Sequence, residues 1–222
     1  MATDVGADLW HMWHFHGSYG FRHTDPDFPF AIRMKRLPDW VPEVRETDAV
    51  MSYILLDRKG SRFMNEYQPY LQDTGHRPLD VMDPSTQEQP NIPCFCVVDE
   101  EGRKRYPLGG VVYNDRDVEP YEWSQDNLKE VQNGILTKCD TVEDLAEAIG
   151  CDPATLQGNL DRWNEDCEVG KDSIHNRPAK SMVTIKSAPF YVGEIWPVVS
   201  NTQAGPVHDA KQRYVTLNGD FP

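Results

Sequence analysis

Residues 62–73 read RFMNEYQPYLQD, which sets a carboxylate at Glu66, phenols at Tyr67 and Tyr70 and a further carboxylate at Asp73 within one short segment. A phenol has a reference pKa near 10 and moves a proton near neutrality only where its anion is stabilised. Arg62 and Glu66 stand four apart and pair at that spacing if the segment turns. Glu66 is expected to anchor the turn through backbone N–H groups, and Tyr70 either packs or faces a ligand. The other dense segment is HMWHFHG at 11–17: His14 and His16 share a face if extended, His11 and His14 if helical. A metal site would need a further carboxylate or thiolate and supporting partners, none legible here, which leaves aromatic packing or a ligand-facing histidine. The five cysteines form no paired C-x-x-C layout, and the alternation of Cys94 and Cys96 in IPCFCVVDE directs both to one sheet face as packing residues.

The elements that must position these groups are of both kinds, and the class is α+β. Residues 51–58, MSYILLDR, read as a buried strand with a turn at Lys59–Gly60, and 93–99 as a second strand leading through EEGRK as a hairpin turn. A short helix at about 125–133 starts from Ser124 as N-cap and stops at Gly134. DTVEDLAEAIGCDPATLQGNLDRWNEDCEVG gives a helix pair. Asp140 or Thr141 caps the first helix with Asp144 or Glu143 returning the capping box, Asp152 with Pro153 opens the second helix, and Leu156, Leu160, Trp163 and Cys167 form its apolar stripe. Further strands are expected near 190–199 and 212–217. The first 45 residues show no sustained period and are expected to be irregular, held by large side chains.

A chain of 222 residues can bury a sizeable core, and a hydrophobic fraction of 39% with 6 Trp and 9 Tyr argues for a folded protein. The net charge of −14 argues against nucleic acid and anionic membranes as partners, since both need basic patches. No apolar run approaches a membrane span and the N-terminus lacks a signal-peptide layout, so the expectation is a cytoplasmic protein. There is no G-x-G-x-x-G, no P-loop, no G-x-S-x-G and no H-E-x-x-H.

Three separated stretches resemble, in order, the fumarate reductase and succinate dehydrogenase flavoprotein superfamily. YILLDRKGSRFMNE is similar to its strand, glycine turn and R-F-x-N-E. The helix pair ends in Arg162-Trp163-Asn164 and Gly170-Lys171-Asp172, like its R-x-N and G-x-D. APFYVGEIWPVVSNTQAGPVHDAKQRYV resembles its P-F-Y, then T-x-G-G, then the strand returning to the flavin domain. The resemblance implies a capping, or substrate, domain of mixed sheet and helices, with the Rossmann-like FAD domain largely missing. It implies a stub at 1–45, the capping domain at 46–199 and a strand returning to the flavin domain at 200–222. The chain is then a fragment, a truncated gene product or one half of a split protein.

Position by position, Tyr70 stands where the fumarate reductase branch has an arginine proton donor, and Asn201 where that branch has a histidine. Ala204 replaces the first glycine of the pair and Gly205 keeps the second. The ketosteroid dehydrogenase-like branch is the better match, because a tyrosine at this place fits acid/base chemistry on an enone. The resemblance thus implies an FAD-dependent oxidoreductase acting on a CH–CH bond beside a carbonyl in a small apolar substrate. Tyr70 would be catalytic; His14, His16 and Arg77 would face substrate, with Lys35 or Arg36 as further stabilisers of the phenolate. Asn201, Thr202 and Gly205 would approach FAD, which the isolated chain would bind weakly or not at all. The other class of reading is a non-catalytic remnant that binds a ligand or protein. A surface made to meet a flavin domain would favour self-association.

Overall fold

The computed structural model describes residues 2–10, 12, 15–35, 50–67, 76–113, 115–202 and 204–216. Among the described residues, eight strands form two sheets. They are β1 (Leu9–Trp10), β2 (Phe15–Phe21), β3 (Ile32–Arg33), β4 (Ile54–Leu56), β5 (Cys94–Asp99), β6 (Thr137–Cys139), β7 (Phe190–Thr202) and β8 (Gly205–Pro206). The larger sheet has the order β3-β2-β7-β5-β4, with β6 also on β7, and its pairs run antiparallel. Four helices accompany them: α1 (Glu100–Arg103), α2 (Leu128–Gln132), α3 (Val142–Ile149) and α4 (Pro153–Val169).

The sheet is buried on both faces, so its strands read as apolar runs. Cys94, Cys96 and Val98 alternate onto one face with Tyr19, Phe21, Tyr191 and Ile195. Phe95 and Val97 alternate onto the other with Ile54, Leu56 and Val192. That second face is covered by α3 and α4 through Leu145, Ile149, Leu156, Leu160 and Trp163, with Cys167 packed at its edge. The helix pair is capped as its sequence indicates. Thr141 Oγ1 accepts from Asp144 N while Asp144 reaches back to the Thr141 backbone, and Asp152 accepts from Thr155 N ahead of Pro153. Burial raises the pKa of the Cys94 and Cys96 thiols and keeps them as packing groups.

Several elements differ from the sequence reading. The aromatic and histidine-rich start is not irregular throughout: it supplies β2, which pairs with β7 along its whole length. Gly17, Ser18 and Gly20 hide the alternation that Tyr19 and Phe21 carry. Gly20 is required because a Cβ there would lie 2.3 Å from the Ile32 carbonyl oxygen. Residues 100–103 form a helix and not a hairpin turn, since the Asp99 carboxylate accepts from Gly102 N and caps it. Ser124 does not cap α2. Its N–H and hydroxyl both donate to Glu130, and the helix starts from Asn127 in the left-handed region. The strand expected at 212–217 is reduced, in the described part of that range, to isolated bridges of Tyr214 with His208 and Thr216 with Ala7, which follow a turn where Asp209 accepts from Lys211 N and Arg213 N. No described helix is long and apolar enough to cross a membrane.

Candidate functional site

The turn after β4 is built by Asp57, whose Oδ1 accepts from Lys59 N and Ser61 N, with Gly60 at φ +75° completing it. It delivers Arg62 into a buried cluster of four charges. Arg62 Nη2 donates to Glu66 Oε2 at 2.7 Å and Nε to Oε1 at 3.0 Å. Its Nη1 and Nη2 also donate to Asp172 Oδ1 and Oδ2 at 3.0 and 3.1 Å. Arg177 completes the set, donating to Glu66 Oε2 at 3.4 Å and to the carbonyls of Tyr53, Met51 and Ser181 at 2.8, 2.7 and 2.9 Å. Both guanidinium groups lie over the Trp163 ring, with Cζ at 4.4 and 5.0 Å from its centre.

Glu66 and Asp172 are fully buried and still charged. Burial alone would raise the Glu66 pKa, but Arg62 and Arg177 outweigh it and hold the group below the ordinary carboxylate range. Burial acts the same way on Asp172, and Arg62 together with the N–H groups of Arg177 and His175 pulls it down. Arg62 is held above its ordinary value against its own desolvation by Glu66 and Asp172. With two positive and two negative charges fully bonded, the cluster is structural. Glu66 does anchor backbone, accepting from Leu55 N at 3.1 Å. The sequence shows the Arg62–Glu66 spacing. Asp172 is visible only as the end of G-x-D, and Arg177, far along the chain, carries no local signal. The cluster fixes the root of the segment holding Tyr70, where Asn65 Oδ1 accepts from Tyr67 N.

A second constellation lies where β2 and β7 end. His16 pairs with Asn201 and Phe15 with Thr202, next to a register shift between His16 and Gly17. Beyond it β1 pairs with β8, Trp10 opposite Gly205 and Leu9 opposite Pro206. His16, Asn201, Thr202 and Gly205 thus come to one end of the fold although they lie at opposite ends of the chain. Asn201 is exposed. Gly205 lines a cleft of about 610 Å³ with Trp10, Pro206, Val207 and His208, and a Cβ on it would meet nothing within 4 Å. Arg77 is exposed in the turn at 76–80 and forms no ion pair among the described residues. Lys35 N donates to the Leu108 carbonyl. Tyr70, His14 and Arg36 lie outside the described residues.

The sequence profile of the FAD binding domain family matches residues 38–220. A 3-oxosteroid 1-dehydrogenase of Mycolicibacterium smegmatis is 26% identical over 175 residues, covering 72% of this chain and 29% of that protein. The crystal structure of the 3-ketosteroid Δ1-dehydrogenase of Sterolibacterium denitrificans, in complex with 1,4-androstadiene-3,17-dione, superposes with a TM-score of 0.70 at 20% identity. The match covers 99% of this chain and 38% of that one. A flavocytochrome c3 fumarate reductase in its open conformation gives a TM-score of 0.62 at 19% identity, covering 100% of this chain and 32% of the other. The two structural likenesses carry the fold, and the chain spans less than two fifths of the length of each of these relatives. The profile match over most of the chain carries the family: the chain belongs to the FAD binding domain family.

Proposed function

We propose that this chain is the substrate-capping portion of an FAD-dependent oxidoreductase that acts on a C–C bond beside a carbonyl in a bulky apolar substrate, with Tyr70 as the acid or base. The observation that carries this reading is the family match over residues 38–220, taken with the similarity to a 3-oxosteroid 1-dehydrogenase. When bound, FAD supplies the hydride donor or acceptor. The chain's own residues fit one side of its ring: Gly205 leaves its backbone open to approach, and Trp10 adds an exposed aromatic surface beside it. They do not fit its pyrophosphate. The sequence has no G-x-G-x-x-G, and the first turns of α3 and α4 each already give an N–H to a side-chain cap, in α4 the Asp152 carboxylate.

In this reading Tyr70 gives or takes the proton at the carbon next to the hydride carbon, a role that needs hydrogen-bond reach to substrate. Arg77, and His14 and His16 from the other end of the chain, would orient the carbonyl. Residues 1–45 and 200–222 would lead from and return to the flavin domain around a cap at 46–199. The rigid cluster of Arg62, Glu66, Asp172 and Arg177 supports the assignment by holding the root of the Tyr70 segment. The test is steady-state dye reduction with a 3-ketosteroid by the protein expressed together with whatever its reading frame encodes on either side. Tyr70→Phe is expected to lower turnover by about 10²-fold or more while leaving the flavin spectrum unchanged. Turnover equal to the parent's would remove Tyr70 from the chemistry. A colourless protein that stays inactive with added FAD would instead support a non-catalytic binding module.

A further inference from the structure

A cleft elsewhere in the fold suggests a binding site unrelated to hydride transfer. On the edge of β7 opposite β5, β6 pairs with Phe190 to Val192, and β2 begins to pair at Ile195. Gly193 and Glu194 have no strand neighbour on that edge. A cleft of about 270 Å³ opens at this gap, bounded by the chain leaving β2 at Arg22 and the chain entering β6 at Thr137. Its volume falls below the roughly 300–1,000 Å³ of sites for drug-sized ligands, so it suits a small metabolite.

The lining has two parts. Phe95, Ile135 and Val192 show a narrow apolar strip at its base, beside a more polar wall that includes His23 and Thr24. Arg22 and Glu194 stand at the mouth with opposite charges, and one side chain orients both. The Arg22 guanidinium lies 5.8 Å from the centre of the Trp196 ring, and Trp196 Nε1 donates to Glu194 Oε2 at 3.2 Å. The two charges do not pair with each other, and Arg22 forms no ion pair among the described residues.

We propose that this cleft binds a small zwitterion of the α-amino-acid type with an apolar side chain. Its carboxylate would meet the planar fork of Arg22, its ammonium Glu194, and its side chain the strip of Phe95, Ile135 and Val192. A simple anion would face Glu194 and a net charge of −14, and a simple cation would face Arg22. A ligand carrying both poles complements both groups at once.

The test is titration of the isotope-labelled chain with L-leucine, N-acetyl-L-leucine and L-leucinamide, followed through the backbone amide signals of Gly134 and Gly193. L-leucine is expected to give saturable shifts at both glycines, and the two singly charged analogues to bind about tenfold more weakly or worse. Arg22→Gln and Glu194→Gln should each weaken leucine binding by about the same factor. Both residues are exposed, so the dispersed amide spectrum of each variant checks that it is folded. The proposal is overturned if leucine gives no saturable shift in the parent chain, if either analogue binds as well as leucine, or if both variants bind it unchanged.

Discussion

Four charges removed from water remain ionised only because each has more than one partner. Removing one partner leaves its neighbour uncompensated, so Glu66→Gln is expected to destabilise the fold by about 3–5 kcal/mol, read as a lower urea midpoint. A fall much smaller than this would mean that Arg62 and Arg177 find water in its place. The same cluster sets an acid limit. Glu66 and Asp172 have folded pKa values below their ordinary 4.5 and 3.8, and Glu100, bonded twice by Arg103, is lowered to about 2. Depressed folded values stabilise the protein fully above the unfolded values, and that stabilisation is lost as pH falls through the folded ones. Urea midpoints should therefore be flat near neutrality and fall steadily below about pH 4.5, more steeply in the parent than in Glu66→Gln. Of this cluster the sequence shows the four-residue spacing of Arg62 and Glu66. Arg177 is illegible because the partners that draw it into the cluster, Glu66 and the carbonyls of Tyr53 and Met51, lie over a hundred residues away, and spacing arguments reach only one turn.

At the scale of elements, legibility follows how local the cause is. α3 and α4 are readable because caps and apolar stripes lie within a few residues of one another. So is the shared face of Cys94 and Cys96, which rests on simple alternation. β2 escapes because its small residues answer to a neighbour strand and not to a period. α2 starts late because the Glu130 carboxylate captures Ser124 from the other side of the turn. Two glycines separate these kinds of constraint. Gly20→Ala places a methyl carbon against the Ile32 carbonyl and should destabilise the protein and detach β3, seen as faster amide exchange at residues 32 and 33. Gly205→Ala meets open space and should leave the urea midpoint unchanged while reducing flavin affinity in the holoenzyme. An unchanged affinity would remove Gly205 from the ring site. The pairing of His16 with Asn201, which brings the two ends of the chain together, has no local trace in either stretch of sequence.

For the whole molecule, burial is uneven. Both faces of the larger sheet are covered, yet Trp10, Met12 and Val199 are 63%, 62% and 60% exposed toward the end where β1 and β8 pair. Exposed aromatic and aliphatic groups of this size seek cover. Sedimentation velocity should show concentration-dependent association of the isolated chain, weakened by Trp10→Glu; a strictly monomeric parent would count against this surface as a contact. The central strand has a further consequence, in time. β7 bonds to β2, β5 and β6, and all three precede it in the sequence. β2 pairs with β3 within about a dozen positions and β4 with β5 across residues 57–93, whereas the β2–β7 pairing spans some 180 positions. Pairing at such separation is slow because loop closure must precede any reward. The sheet is therefore completed by its longest-range pairing, and the β2–β7 edge is expected to be the last part of it to gain amide-exchange protection on refolding.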